Sequence, residues 1–176
     1  MLVASIFAAL VAGYLTEWLG KKALFAISLV VSGILTCCIY FIQPGQVREI
    51  MILGVAAEFF AAFMPVLTFS MLGDAADYSE WKHGRRATGL FYSAGTFIQK
   101  MGGGFAAALV LLVLAAYGYV GTDPSTIEQA KPGMISLMSW IPSIFAFSAL
   151  GLLVFYPLNT ERMGQIEQDL VARRDT

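Results

Sequence analysis

Charge is what this sequence most conspicuously lacks. Of its 176 residues only 13% are Asp, Glu, Lys or Arg, about half of the ~25% usual in a soluble domain. That shortage excludes a disordered chain and an ordinary water-soluble enzyme. A net charge of −1 gives nucleic acid nothing to hold. The two cysteines, Cys37 and Cys38, are adjacent, which suits neither a disulfide framework nor metal-ligand spacing. One histidine, His83, is too little for a metal cluster and is most simply a surface side chain. The glycine run from Gly102 to Gly104 has no strand before it, so it is not a phosphate loop. An enzyme, a metal centre and an organic cofactor are all unexpected.

What is present is apolar length. Hydrophobic residues make up 58% of the chain and the mean hydropathy is +0.72. The class left standing is an all-α integral membrane protein embedded in lipid. At about 20 residues per span plus loops, the length holds roughly five or six helices. Five continuous apolar runs can be read, over residues 1–18, 23–43, 50–72, 89–120 and 134–156. They do not alternate in the manner of β-barrel strands. The first run has no basic leader and no cleavage pattern, so it reads as a span and not a signal peptide. Connections are expected over residues 20–22, 44–49, 73–88 and 121–133, with a polar tail at 157–176.

The basic residues orient the spans. Lys21, Lys22, Lys82, Arg85, Arg86, Arg162, Arg173 and Arg174 fall in the first and third connections and the tail. Only Arg48 and Lys131 fall in the other two connections. The positive-inside rule therefore places the first and third connections and the tail in the cytoplasm. It also places Met1 outside with no signal to send it there, and an upstream segment is expected.

Two ionisable residues lie within the apolar runs, where charge is costly and usually faces protein or water. Lys100 is about 17 Å from the cytoplasmic end of the fourth run, and Glu58 about 12 Å from the outer end of the third. In a core of about 30 Å those depths nearly coincide, and adjacent antiparallel helices would bring the side chains together. Ser93, Thr96, Lys100, Gly103 or Gly104, and Ala107 recur at helical spacing. So do Gly54, Glu58, Ala61, Ala62, Pro65 and Thr68. Each stripe fits a lined cavity, and each equally fits close helix packing. A purely structural Glu58–Lys100 pair is the alternative to a binding role.

Between the third and fourth runs, Asp74, Asp77 and Glu80 precede Lys82, Arg85 and Arg86. Two readings are open: an ion-pair network that holds helices in one of two arrangements, or a solvated loop with a basic end.

The spaced set Asp74, Asp77, Tyr78, Glu80, Gly84, Arg86, Tyr92, Thr96 and Lys100 resembles the glycoside-pentoside-hexuronide:cation symporters. These are the melibiose-permease-like branch of the major facilitator superfamily. Gly13, Glu17, Gly20, Lys21 and Lys22 resemble the repeated loop motif of that superfamily, with Glu17 in the usual aspartate position. Tyr156 to Leu170 resembles the family's short cytoplasmic end, with Met163, Ile166 and Leu170 on one face of a helix that lies on the membrane or on the protein.

The resemblance implies five transmembrane helices matching helices eight to twelve of such a transporter, in a bacterial inner membrane. It implies transport of a glycoside, pentoside or hexuronide coupled to a proton or sodium ion. Lys100, Thr96 and Glu58 would serve substrate and cation coupling. Asp74, Asp77, Tyr78, Glu80 and Arg86 would serve a cytoplasmic gate. The family's first half, which carries the acidic cation ligands, has no counterpart in this sequence. A fragment of a transporter that needs that half as its partner is the first expectation. A non-transporting remnant, or an interaction subunit of a split transporter, is the second.

Overall fold

The computed structural model describes residues 2–43 and 45–174. Met1, Pro44, Asp175 and Thr176 lie outside the described residues, and so does the expected placement of Met1. The chain order is α1 (Leu2–Leu19), α2 (Lys21–Cys38) extended by one 3-10 turn (Ile39–Phe41), α3 (Val47–Ala61), α4 (Phe63–His83), α5 (Thr88–Ala116), α6 (Thr126–Met138), α7 (Trp140–Val154) and α8 (Thr160–Arg174). Among the described residues, four stretches are long and apolar enough to cross a membrane: Lys21–Phe41, Val47–His83, Thr88–Ala116 and Thr126–Val154.

Two of those stretches are broken by proline chemistry. Pro65 and Pro142 lack the N–H that would bond the carbonyl four residues earlier. Those carbonyls belong to Ala61 and Met138, the last residues of α3 and α6. At Ala62 the helix assignment is interrupted for one residue while the backbone stays right-handed helical (φ −65°, ψ −20°), whereas at Ser139 the chain leaves the helix, with φ −126° and ψ −93°.

The packing centre joins the first four helices. Ala12, Leu24, Phe63 and Leu67 are buried together, with Leu15, Phe25, Phe59 and Phe60 around them. Phe59 meets Phe63 edge-on at 5.3 Å, a favoured aromatic geometry. On the far side of α2, Ser143 Oγ donates to the Gly33 carbonyl at 2.9 Å and clips α7 to α2. Bonds of this kind between helices in lipid contribute about 0.6 kcal/mol each.

α5 differs from the rest, because none of its residues is buried. It packs against α4 at one end and α6 at the other. Tyr92 stacks on Phe69 at 6.2 Å, and Gly95 admits the Leu72 side chain where a Cβ would collide with it. At the far end Gly133 lies under the Tyr117 ring.

Several sequence expectations are corrected. The expected connection at 73–88 is mostly helix. The 37 residues from Val47 to His83 rise about 55 Å at 1.5 Å each, far beyond a core of about 30 Å. The last turns of α4 therefore project past the apolar slab, which is why they carry charge without ceasing to be helical. Ala75, Ala76, Glu80 and Lys82 are good helix formers. The helix ends at Gly84 (φ 68°), whose N–H donates to the Glu80 carbonyl at 2.8 Å, a left-handed cap that glycine favours.

The fourth run is helical only to Ala116. Gly118 (φ 77°) ends it, with Tyr119 N–H reaching back to the Leu114 carbonyl at 3.0 Å. The fifth run starts at Thr126, so Pro132 and Gly133 lie inside α6 and not in a connection. The tail is largely the helix α8.

Candidate transport surface and charged end

The charged turns of α4 are tied down by ion pairs. Lys21 Nζ, at the start of α2, lies 2.6 Å from Asp74 Oδ1. Asp74 is buried at 8% exposure, so the ammonium compensates a carboxylate with little water around it. Arg86 reaches Asp77 at 2.8 Å and Glu80 at 3.6 Å, folding the 84–87 connection back onto α4. Lys22 Nζ donates to the Tyr156 carbonyl at 2.6 Å. Of the two readings of this stretch, the geometry is that of an ion-pair network. His83 is exposed.

The same end receives α8. Leu158, Met163, Ile166 and Leu170 are buried together against Tyr78, Trp81 and Tyr156, so the apolar face of α8 lies on the protein. Trp81 Nε1 donates to Asp169 Oδ2 at 2.8 Å, and Arg173 Nη1 donates to the Trp81 carbonyl at 2.9 Å. Asn159 Oδ1 accepts the Arg162 N–H at 2.9 Å, which caps the first turn. Lys82 and Arg162 each sit 5.7 Å from the Tyr78 ring centre, within cation–π range. Burial, helped by the charge of Asp74, pushes the Tyr156 phenol up to about 12.

Trp81, Tyr156 and Asp169 were not among the sequence candidates. The available signal was Asp169 and Arg173 spaced by four on one helix, a pair able to hold one partner.

The glycine-basic loop motif divides. Gly20 has φ 77°, and a Cβ there would run into Thr160 Oγ1 at the start of α8. Gly20, Lys21 and Lys22 thus all take part in the charged end. Gly13 and Glu17 are exposed on α1, away from those contacts.

The intramembrane candidates do not converge. Lys100 and Thr96 are exposed on α5 together with Ser93, Gly103, Gly104 and Ala107. Thr96 Oγ1 is spent on the Tyr92 carbonyl at 2.8 Å. Glu58 instead lines a cavity of about 480 Å3 between α2, α3 and α7. Among the described residues no ion pair joins Glu58 to Lys100. Equal depth does not bring them together, because α3 packs on α1, α2 and α4, whereas α5 packs on α4 and α6. A separate groove of about 330 Å3 runs between α4 and α5, lined by Thr68, Phe69, Gly95 and Gln99 among others.

Long apolar helices with a polar stripe left open on one of them define an integral membrane protein. Residues 1–160 match the family model described as MFS/sugar transport protein, and the chain belongs to that family. It is 29% identical over 161 residues to a putative sulfoquinovose importer of Salmonella typhimurium strain LT2, covering 89% of this chain and 33% of that one. It is 37% identical over 94 residues to an isoprimeverose transporter of Lactiplantibacillus pentosus, covering 53% of this chain and 19% of that one. An uncharacterized 29.9 kDa protein of Pseudescherichia vulneris is 27% identical over 157 residues, covering 89% of this chain and 57% of that one. The chain thus spans between a fifth and just over half of the length of these relatives. No solved structure matches it significantly.

Proposed function

We propose that this chain forms part of the substrate path of a cation-coupled sugar transporter taking a glycoside, pentoside or hexuronide. The observation that carries this reading is α5. It holds Lys100, Thr96 and Gln99 within the apolar run, yet none of its residues is buried. An intramembrane lysine seldom faces lipid, so the open face of α5 is assigned to a water-filled path shared with a second helical half. In this reading Lys100 lies between sugar hydroxyls and the acidic cation ligands of that half. The α4–α5 groove, with Thr68 and Gln99, contributes hydrogen-bonding groups for hydroxyls. The second half belongs to a family-length assembly, in which the two halves rock about a midplane site.

α1 is the fifth span in this reading. Its 18 residues rise about 27 Å, close to the hydrocarbon thickness. The charged end, with Lys21, Lys22, Arg85, Arg86 and α8, faces the cytoplasm by the positive-inside rule. There Asp74, Asp77, Tyr78, Glu80 and Arg86 act as a gate whose ion pairs exchange partners as the halves move.

The test is uptake of labelled sugars of the three classes into cells lacking their own transporters. The cells express this segment joined to the N-terminal part of the Salmonella relative. Accumulation of at least one class is expected. A chimera that inserts and folds but moves none of them contradicts the proposal.

A further inference from the structure

A groove of about 390 Å3 lies where the end of α1, the start of α2, the last turn of α7 and the start of α8 meet. No residue of α5 lines it, so the sugar path does not account for it. Its aliphatic wall runs from Ala23 to Ala26 on α2 and from Val154 back to Leu150 on α7, about one helical turn into the apolar slab. Lys22, Asn159 and Thr160 stand at its mouth, on the charged end, and no carboxylate lines it. These three side chains have donors to spare. Lys22 Nζ spends one of its three N–H groups on the Tyr156 carbonyl, and no ion pair ties it to a carboxylate among the described residues. Asn159 accepts the Arg162 N–H through Oδ1, which leaves its amide N–H groups as donors. Thr160 adds a hydroxyl. The same three residues line a polar pocket of about 240 Å3 together with Lys21, Asp74 and Glu167, where Lys21 and Asp74 neutralise each other. Trp18, beside the groove residue Leu19, is 89% exposed, as befits an aromatic side chain at the membrane–water boundary. An apolar groove, then a cation with free donors, then a polar pocket follow the order of acyl chain, phosphate and headgroup in a phospholipid.

We propose that this groove holds a glycerophospholipid whose phosphate accepts hydrogen bonds from Lys22, Asn159 and Thr160 and whose acyl chain lies against Leu19, Ala23, Leu150 and Val154. Charge complementarity selects the phosphate, because the wall carries one ammonium and no carboxylate. The rest of the headgroup reaches the polar pocket, where Glu167 accepts from its hydroxyl or amine groups. The lipid touches α1, α2, α7 and α8 at once, and so ties the start of α8 to the bundle.

The test uses the full chain, purified in detergent and stripped of lipid, with native mass spectrometry counting the molecules bound. Dioleoyl phosphatidylglycerol, dioleoyl phosphatidylethanolamine and dioleoylglycerol are titrated; the last has the same chains and no phosphate. Saturable binding of one equivalent of either phospholipid is expected, with dioleoylglycerol about tenfold weaker or more. Lys22→Gln should weaken phosphatidylglycerol about tenfold. Ala23→Trp, which fills the groove and keeps the cation, should weaken it as well. Lys131→Gln, on α6 and outside the groove, should leave it unchanged. Each variant is checked for wild-type helicity and a monodisperse elution profile. If Lys22→Gln does not fold, Ala23→Trp and the dioleoylglycerol comparison decide the matter. Dioleoylglycerol binding as tightly as the phospholipids overturns the proposal, as does wild-type binding by a folded Lys22→Gln or Ala23→Trp. Displacement of the lipid by excess inorganic phosphate also overturns it, and shows a free-anion site in place of a lipid site. No sugar is present, so failure here leaves the sugar-path reading untouched.

Discussion

Lys21 of α2 and Asp74 of α4 share a proton-bearing contact of 2.6 Å across 53 residues of sequence, and Asp74 is the buried partner. Replacing Lys21 by Met strands a carboxylate that has lost its neutralising charge. The cost should be about 1–3 kcal/mol, seen as a lower melting temperature in detergent. Asp74→Asn should cost less, since the half-exposed ammonium can turn to water. The double variant Lys21→Met/Asp74→Asn should recover part of the loss. Additive losses would show that the two residues do not act as a pair.

Gly20 tests how tightly α1, α2 and α8 meet. Its φ of 77° and ψ of 153° lie in a region essentially reserved for glycine and cost an alanine about 1–3 kcal/mol, and the new Cβ would also strike Thr160. Gly20→Ala should lower thermal stability, and adding Thr160→Ala should restore only the steric share. Full restoration would mean the backbone conformation is not the constraint.

The clasp between α4 and α8 rests on Trp81. Trp81→Phe keeps an aromatic ring against the apolar cluster of α8 but loses the bond to Asp169. The expected cost is about 1 kcal/mol, because Asp169 is exposed and regains water. Amide hydrogen exchange should speed up several-fold in α8 and stay unchanged in α2. Unchanged exchange in α8 would show that the Trp81–Asp169 bond does not hold it.

The Tyr156 phenol is raised from 10.0 to about 12, so folding favours its protonated form. The stabilisation tied to that proton is complete below pH 10 and is lost as pH rises through 12. Phenolate absorbance of the wild type minus that of Tyr156→Phe should therefore emerge only above pH 10. The stability advantage of the wild type should narrow over the same window. A difference spectrum already half developed at pH 10 would contradict the burial of this group.

The sequence made the membrane class and its long apolar helices legible, because each rests on composition and local order. The apolar face of α8 was legible too, since Met163, Ile166 and Leu170 follow helical spacing. The helical nature of residues 74–83 was not. A hydropathy pattern reports where lipid ends, and here the helix outlasts the lipid. The separation of Glu58 from Lys100 was also out of reach, because depth along two helices says nothing of which neighbours stand between them. Pro65 and Pro142 could be seen as interruptions. That Ala61 and Met138, the residues four before those prolines, line one cavity with Glu58 depends on how α3, α6 and α7 pack, which no local pattern encodes.

The central claim is that the open face of α5 lines a sugar path in which Lys100 couples sugar to cation. Its most direct test is sugar accumulation by the family-length chimera carrying Lys100→Ala, compared with the parent at equal membrane expression. Loss of accumulation with insertion and folding preserved is the result expected. Accumulation at the parental level would contradict the account.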